Sequence, residues 1–207
     1  MKNILKLIIL ILFTSFILTS CIIVKQAAED ETPPVVNLFP KPEVPMSEKV
    51  VRTKAGDVVA YLPKDWFFVD VENGASTDVF AYAVNPDYTL GVVFSNIRKN
   101  DQVDKIFDKE GLLGLARLDF ERHLKKTSGG VKQVGKYQTM NFGTQSYARY
   151  EFLASDSLPP TMSMVFKSEP GNYYEVTLVP MNITGKPILL KPEIEKIFRS
   201  IAATIQY

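Results

Sequence analysis

Residues 161–180 read TMSMVFKSEPGNYYEVTLVP. Met162, Met164 and Phe166 alternate with Ser163, Val165 and Lys167, and Tyr174, Val176 and Leu178 alternate with Tyr173, Glu175 and Thr177. Successive side chains of a strand point to opposite faces, so each run carries one apolar face and one mixed face. Between the runs, Glu169-Pro170-Gly171-Asn172 is a turn, because proline presets φ and glycine adopts conformations closed to other residues. The stretch is a β-hairpin, and it fixes antiparallel sheet in the C-terminal third.

The same reading extends outward. In Tyr147 to Phe152 one face carries Ala148, Tyr150 and Phe152, and the other carries Tyr147, Arg149 and Glu151. Past the hairpin, Pro192 opens a helix with Ile194, Ile197, Phe198 and Ile201 as its buried stripe. Toward the N-terminus the period becomes helical: Asn100 or Asp101 caps a helix whose first turns bury Val103, Ile106 and Phe107. Leu113, Ala116, Phe120 and Leu124 continue the stripe until Ser128-Gly129-Gly130 stops it. Gly111 and Gly114 weaken its middle, which allows one kinked helix or two short ones.

Earlier still, Val50–Lys54 and Val58–Leu62 flank the turn Ala55-Gly56-Asp57, and Val79–Val84 and Leu90–Ile97 flank Asn85-Pro86-Asp87, giving two more hairpins. Phe67 to Val71 is a strand between them. The order strands, helix, strands, helix predicts an α+β fold: a largely antiparallel sheet with a central helix and a C-terminal helix packed on it.

Residues 48–207 suffice for one domain with its own core. Residues 21–47 differ in character, with the acidic run Glu29-Asp30-Glu31 followed by Pro33, Pro34, Pro40, Pro42 and Pro45. Proline removes amide donors, so this stretch cannot enter a helix or a sheet interior and is expected to be a tether. Residues 1–20 carry Lys2 and Lys6 ahead of the apolar run Leu7–Leu18, the pattern of a secretory signal. Leu18-Thr19-Ser20-Cys21 resembles the lipobox of bacterial lipoproteins. The resemblance implies cleavage between Ser20 and Cys21, acylation of Cys21, and a membrane anchor in the cell envelope, at the outer membrane ahead of the inner and with surface display left open. Cys21 is the single cysteine, so no intramolecular disulfide supports the fold.

The domain resembles the superfamily that joins PsbP, the Ran-binding Mog proteins and many bacterial lipoproteins. The residues that carry the likeness are Tyr61-Leu62-Pro63-Lys64-Asp65-Trp66, the central helix, the turn Phe142-Gly143-Thr144 and the closing Ile197-Phe198-Arg199-Ser200-Ile201. It implies a docking or assembly module with no catalytic residues to carry over.

Charge and chemistry point the same way. The 24 Lys and Arg fall to 22 once Lys2 and Lys6 leave with the signal, against 23 Asp and Glu, so neither nucleic acid nor a polybasic membrane patch is expected. The only histidine, His123, has no nucleophile motif to serve and reads as a boundary residue of the helix. One histidine and a lipidated cysteine cannot make a zinc set, so no metal or cofactor is expected. Asp101, Asp104 and Asp108 share a helix face and complement the helix dipole; their spacing is not that of a calcium loop. Trp66, after Leu-Pro, is expected in the core. Tyr147, Arg149 and Tyr173 are the candidate partner surface, since Tyr and Arg are enriched at hot spots. The sequence therefore reads as a lipid-anchored, non-catalytic module for an envelope protein, with a carrier of a small apolar ligand, held by Met162, Met164 and Phe166, as the alternative.

Overall fold

The computed structural model describes residues 33–70 and 76–207. The expected signal segment, Ser20, Cys21 and the first part of the expected tether lie outside the described residues, as does Val71 at the end of the expected third strand. The chain from Pro33 to Tyr207 is one compact unit.

Its elements are β1 (Val35–Leu38), β2 (Met46–Arg52), β3 (Val59–Pro63), β4 (Phe67–Phe68), β5 (Val79–Val84), β6 (Leu90–Ile97), α1 (Asp101–Lys126), β7 (Lys132–Phe142), β8 (Gln145–Leu153), β9 (Thr161–Lys167), β10 (Tyr173–Pro180) and α2 (Lys191–Thr204). Eight strands form one sheet in the order β1-β7-β8-β9-β10-β6-β5-β4, and β2 and β3 form a separate hairpin. Among the described strands, β1 and β7 alone run parallel; the sheet is otherwise antiparallel. The α+β architecture expected from the sequence is the one observed.

Both faces of the sheet are covered. On one, Met162, Met164, Phe166, Tyr174, Val176 and Leu178 pack with Ile194, Phe198 and Ile201 of α2 and with Val51, Leu62 and Trp66 of the β2–β3 region. On the other, Tyr150, Phe152, Val165 and Tyr173 pack with Val103, Leu115, Ala116 and Phe120 of α1. The mixed face read in β9 and β10 is thus not a solvent face; α1 covers its polar side chains.

Local chemistry sets the helix ends. The Asn100 carboxamide accepts from the amides of Gln102 and Val103, both at 3.0 Å, and closes the first turn of α1. Gly111 has φ 62°, a conformation that side chains resist, and here α1 breaks into two helical pieces. In α2 the Glu193 carboxylate accepts from the Leu190 amide at 3.0 Å, with Pro192 in the first turn.

Two expectations are corrected. The folded unit begins at Pro33, not at residue 48, because the Pro-free run Val35–Leu38 pairs with β7 at the sheet edge, where a strand needs only one side of its backbone. Further along, Ser200 of α2 accepts from the amides of Glu43 at 2.8 Å and Val44 at 3.1 Å, and Arg199 pairs with Glu43 at 2.6 Å, so the end of the expected tether is bound to the domain. The second correction is the third strand, which is only the two residues of β4. No helix of the described residues is long and apolar enough to cross a membrane.

Candidate functional site

Beneath α1, at the middle of β10, lies a buried polar cluster. Glu175 Oε1 accepts from Thr177 Oγ1 at 2.6 Å and Ser163 Oγ at 2.9 Å, and meets His123 Nε2 at 2.6 Å. Its Oε2 accepts from Ser95 Oγ at 3.0 Å. One helical turn before His123, Asp119 accepts from the Tyr150 hydroxyl at 2.8 Å and from Arg122 at 3.0 Å.

Burial raises the Asp119 carboxyl, and the Glu175 charge adds to it, bringing its pKa to about 8, against the lowering by His123, Tyr150 and Arg122. Burial alone would also raise Glu175, but the bonds from His123, Thr177 and Ser163 outweigh it and hold that carboxyl well below the usual range. For His123, burial favours the neutral ring, and the Glu175 carboxylate outweighs that and raises the pKa. The shifts favour an imidazolium–carboxylate pair beside a carboxyl that resists ionisation.

This arrangement neutralises itself. The three hydroxyls donate to the carboxylate, so none is set against the imidazole as an activated nucleophile. The ligand atoms of Asp119, His123 and Glu175 lie within 4.8 Å of one another, close enough for a metal ion. Yet Glu175 is saturated by hydroxyl donors, and the Arg122 guanidinium occupies Asp119, which opposes a further cation. The cluster fixes the second half of α1 on the sheet. Sequence reasoning placed His123 at a boundary and missed the cluster; the signal was a glutamate in an apolar strand with Ser163 opposite Thr177 across the hairpin.

The expected partner surface is not assembled. Tyr147 is fully buried, its ring 5.5 Å from Phe166 and 5.8 Å from Phe142. Arg149 lies under α2, bonded to Glu151 and to Glu195 at 2.8 Å, with its guanidinium 5.6 Å from the Phe198 ring centroid. Tyr173 is on the opposite face, its hydroxyl donating to Asp104 at 2.8 Å beneath α1. Alternation separates them: Tyr147 and Arg149 share a parity that faces α2, and Tyr173 has the parity that faces α1. Met162, Met164 and Phe166, proposed to hold an apolar ligand, are instead packed tight in the core with exposures of 1% or less. Trp66 is in the core as expected.

Among the clefts open to solvent is a basic one of about 600 Å³ where the β2–β3 turn meets the start of β5, the end of β6 and the start of β10. Arg52 and Lys54 from the hairpin and Arg98 and Lys99 from the end of β6 line it, with Val79, Phe80 and Ile97 as apolar lining. No carboxylate among the described residues lines it. Arg98 also borders a neighbouring cleft of about 440 Å³ that holds Arg122, Lys125, Lys126 and, as the one acid among the described residues, Asp78. Asp57 organises the first cleft from behind, accepting from Thr53 at 2.7 Å, Tyr174 at 2.8 Å and Asn172 at 2.9 Å, three residues of its lining. Burial opposes its charge, but these bonds together with that from Ser168 outweigh burial and hold its carboxyl far below the usual range. Of the sequence-predicted site residues that are described, Tyr147, Arg149 and Tyr173, only Tyr173 reaches this cleft. Its cations come from two turns far apart in sequence, which no local pattern joins.

No family model and no curated protein matches the chain. Among solved structures it is similar to cyanobacterial PsbP (CyanoP) from Synechocystis, at 16% identity over 77% of this chain and 92% of that one, with a TM-score of 0.53. A second similar structure is the Saccharomyces cerevisiae Ran-binding protein Mog1p, at 12% identity over 78% of this chain and 95% of that one, with a TM-score of 0.48. The chain has the PsbP-like fold that its short motifs implied.

Proposed function

We propose that the chain is a lipid-anchored, non-catalytic binding module of the bacterial cell envelope, held through Cys21 and docking an envelope protein at the basic cleft. The observation that carries the reading is that cleft: four cations from two separate elements line it in a chain whose overall charge is only +1. The buried cluster, by contrast, is closed and self-neutralised, which supports a structural role and leaves the cleft as the place for a partner. The lipobox-like Leu18-Thr19-Ser20-Cys21 supports the anchor, and stable anchoring by acylation takes more than one chain.

Two measurements test the reading. Labelled palmitate should enter the wild-type chain and not Cys21→Ser, which should persist as the uncleaved precursor; equal processing of both removes the anchor. A photocrosslinking residue in place of Lys54 should trap a discrete envelope protein in intact cells, while the same residue at the exposed Asp156 should not. Identical products, or none, from the two positions would remove the docking role.

A further inference from the structure

Resting on the docking role above, we infer that the basic cleft takes an extended acidic peptide segment, in which carboxylates alternate with apolar side chains. Three observations select this class of ligand.

The first is the number of uncommitted cations. Arg98 is already engaged, with Asp78 at 2.5 Å and Thr77 at 2.5 Å. Arg52 and Lys54 pair with no carboxylate among the described residues, and Lys99 reaches only the Gly171 carbonyl at 3.5 Å. All three are exposed side chains around a concavity, where low-dielectric walls strengthen the field felt by an incoming anion.

The second is their distribution. Arg52 and Lys54 stand on the β2–β3 hairpin and Lys99 just past the end of β6, so positive charge reaches the cleft from both sides that enclose it. A single phosphate is better served by converging donors or a backbone nest. Separated cations over Val79, Phe80 and Ile97 suit a longer ligand whose carboxylates meet the cations while its apolar side chains meet the lining. Asp57 fixes Thr53, Asn172 and Tyr174 beforehand, so little ordering cost falls on binding.

The third excludes an anionic membrane surface. Peripheral membrane binding combines a basic face with apolar side chains that enter the interface. Among the described residues the exposed large apolar side chains are Val35, Val36, Phe39, Phe68, Tyr88, Ile183 and Leu190, and none of them lines the cleft.

The test uses the full chain in detergent and a fluorescent peptide of alternating glutamate and valine. Binding should weaken with salt, since exposed charges are screened over about 8 Å at physiological ionic strength. The glutamine version of the peptide should not bind. The double variant Lys54→Glu, Lys99→Glu should bind about tenfold or more weakly, as expected for reversal of two contacting charges. Lys132→Glu, an exposed lysine outside the cleft, should bind like wild type. Equal binding of the glutamine peptide, or of the double variant, would overturn the proposal. So would binding of inorganic phosphate in place of the peptide, or cleft-dependent binding to phosphatidylglycerol vesicles. If the peptide fails while crosslinks from position 54 persist, the ligand class is wrong and the docking role stands; loss of both removes both.

Discussion

Replacing Glu175 with alanine should be among the most damaging single changes available to this domain. The carboxylate is buried, meets the His123 ring nitrogen at 2.6 Å, and accepts from Thr177 at 2.6 Å, Ser163 at 2.9 Å and Ser95 at 3.0 Å. Its removal strands the imidazolium and leaves three hydroxyls without their acceptor. Breaking a buried pair from one side typically costs ~3–5 kcal/mol, against a total of ~5–15 kcal/mol for a domain. With an m-value of ~2–3 kcal/mol/M, the urea midpoint should fall by ~1–2 M. Glu175→Gln, which keeps the shape and an acceptor oxygen, should lose less.

The pH dependence follows from the shifts. Glu175 is depressed in the fold, so its stabilisation is present above its unfolded pKa and is lost as pH falls toward its lowered folded value. His123 is raised, so its stabilisation is full below its unfolded pKa and is lost as pH rises through the folded value. The gap between wild type and Glu175→Gln should therefore be widest near pH 6 and narrow by pH 9. Asp119, raised to about 8 by burial and by the Glu175 charge, adds a loss of wild-type stability from the ordinary carboxylate range up to that pH, a loss that Glu175→Gln should reduce. Urea titrations of Glu175→Gln, His123→Gln and the double variant at both pH values supply the test. Additive single effects at pH 6 would show that the pair is not coupled and would refute the argument.

Phe198→Ala removes a fully buried ring from the α2 interface and should cost ~3–5 kcal/mol, while Lys196→Ala on the exposed side should leave the urea midpoint unchanged. A chain beginning at Pro33 should melt in one cooperative transition, and one beginning at Glu48 should melt at lower temperature, because it lacks β1 and the Glu43 and Val44 amides that bond Ser200; equal melting temperatures would return the domain boundary to residue 48. Gly111→Ala forces a side chain onto a backbone with φ 62° and ψ −150°, a region essentially kept for glycine, and should destabilise by ~1–3 kcal/mol, measured the same way.

The parts of the fold that could be read from the sequence are those where burial is one-sided or periodic. The β9–β10 hairpin, the β5–β6 hairpin and the α2 stripe all announced themselves through spacing, and the lengthy α1 through its cap and its glycines. β7 was not expected because Lys132 to Phe142 is mostly polar and carries a register shift between Val134 and Gln138 that breaks alternation. β1 was masked by its flanking prolines, which forbid a sheet interior but permit an edge. The partner surface failed for a different reason: Tyr147 and Arg149 show a mixed pattern that periodicity assigns to solvent, and α2 covers it. The same rule hid the Glu175 cluster, since a polar residue in a strand is buried or exposed according to what packs above it. Only the tertiary fold brings Arg52, Lys54 and Lys99 to one cleft.

The most direct measurement of the docking claim is lysine footprinting, comparing intact envelopes with the purified chain. Lys54 and Lys99 should be protected from an amine-reactive label in envelopes and become reactive on purification, while the exposed Lys109 and Lys132 react equally in both. Uniform reactivity of all four lysines in envelopes and in the purified chain would contradict the assignment of the basic cleft as the docking site.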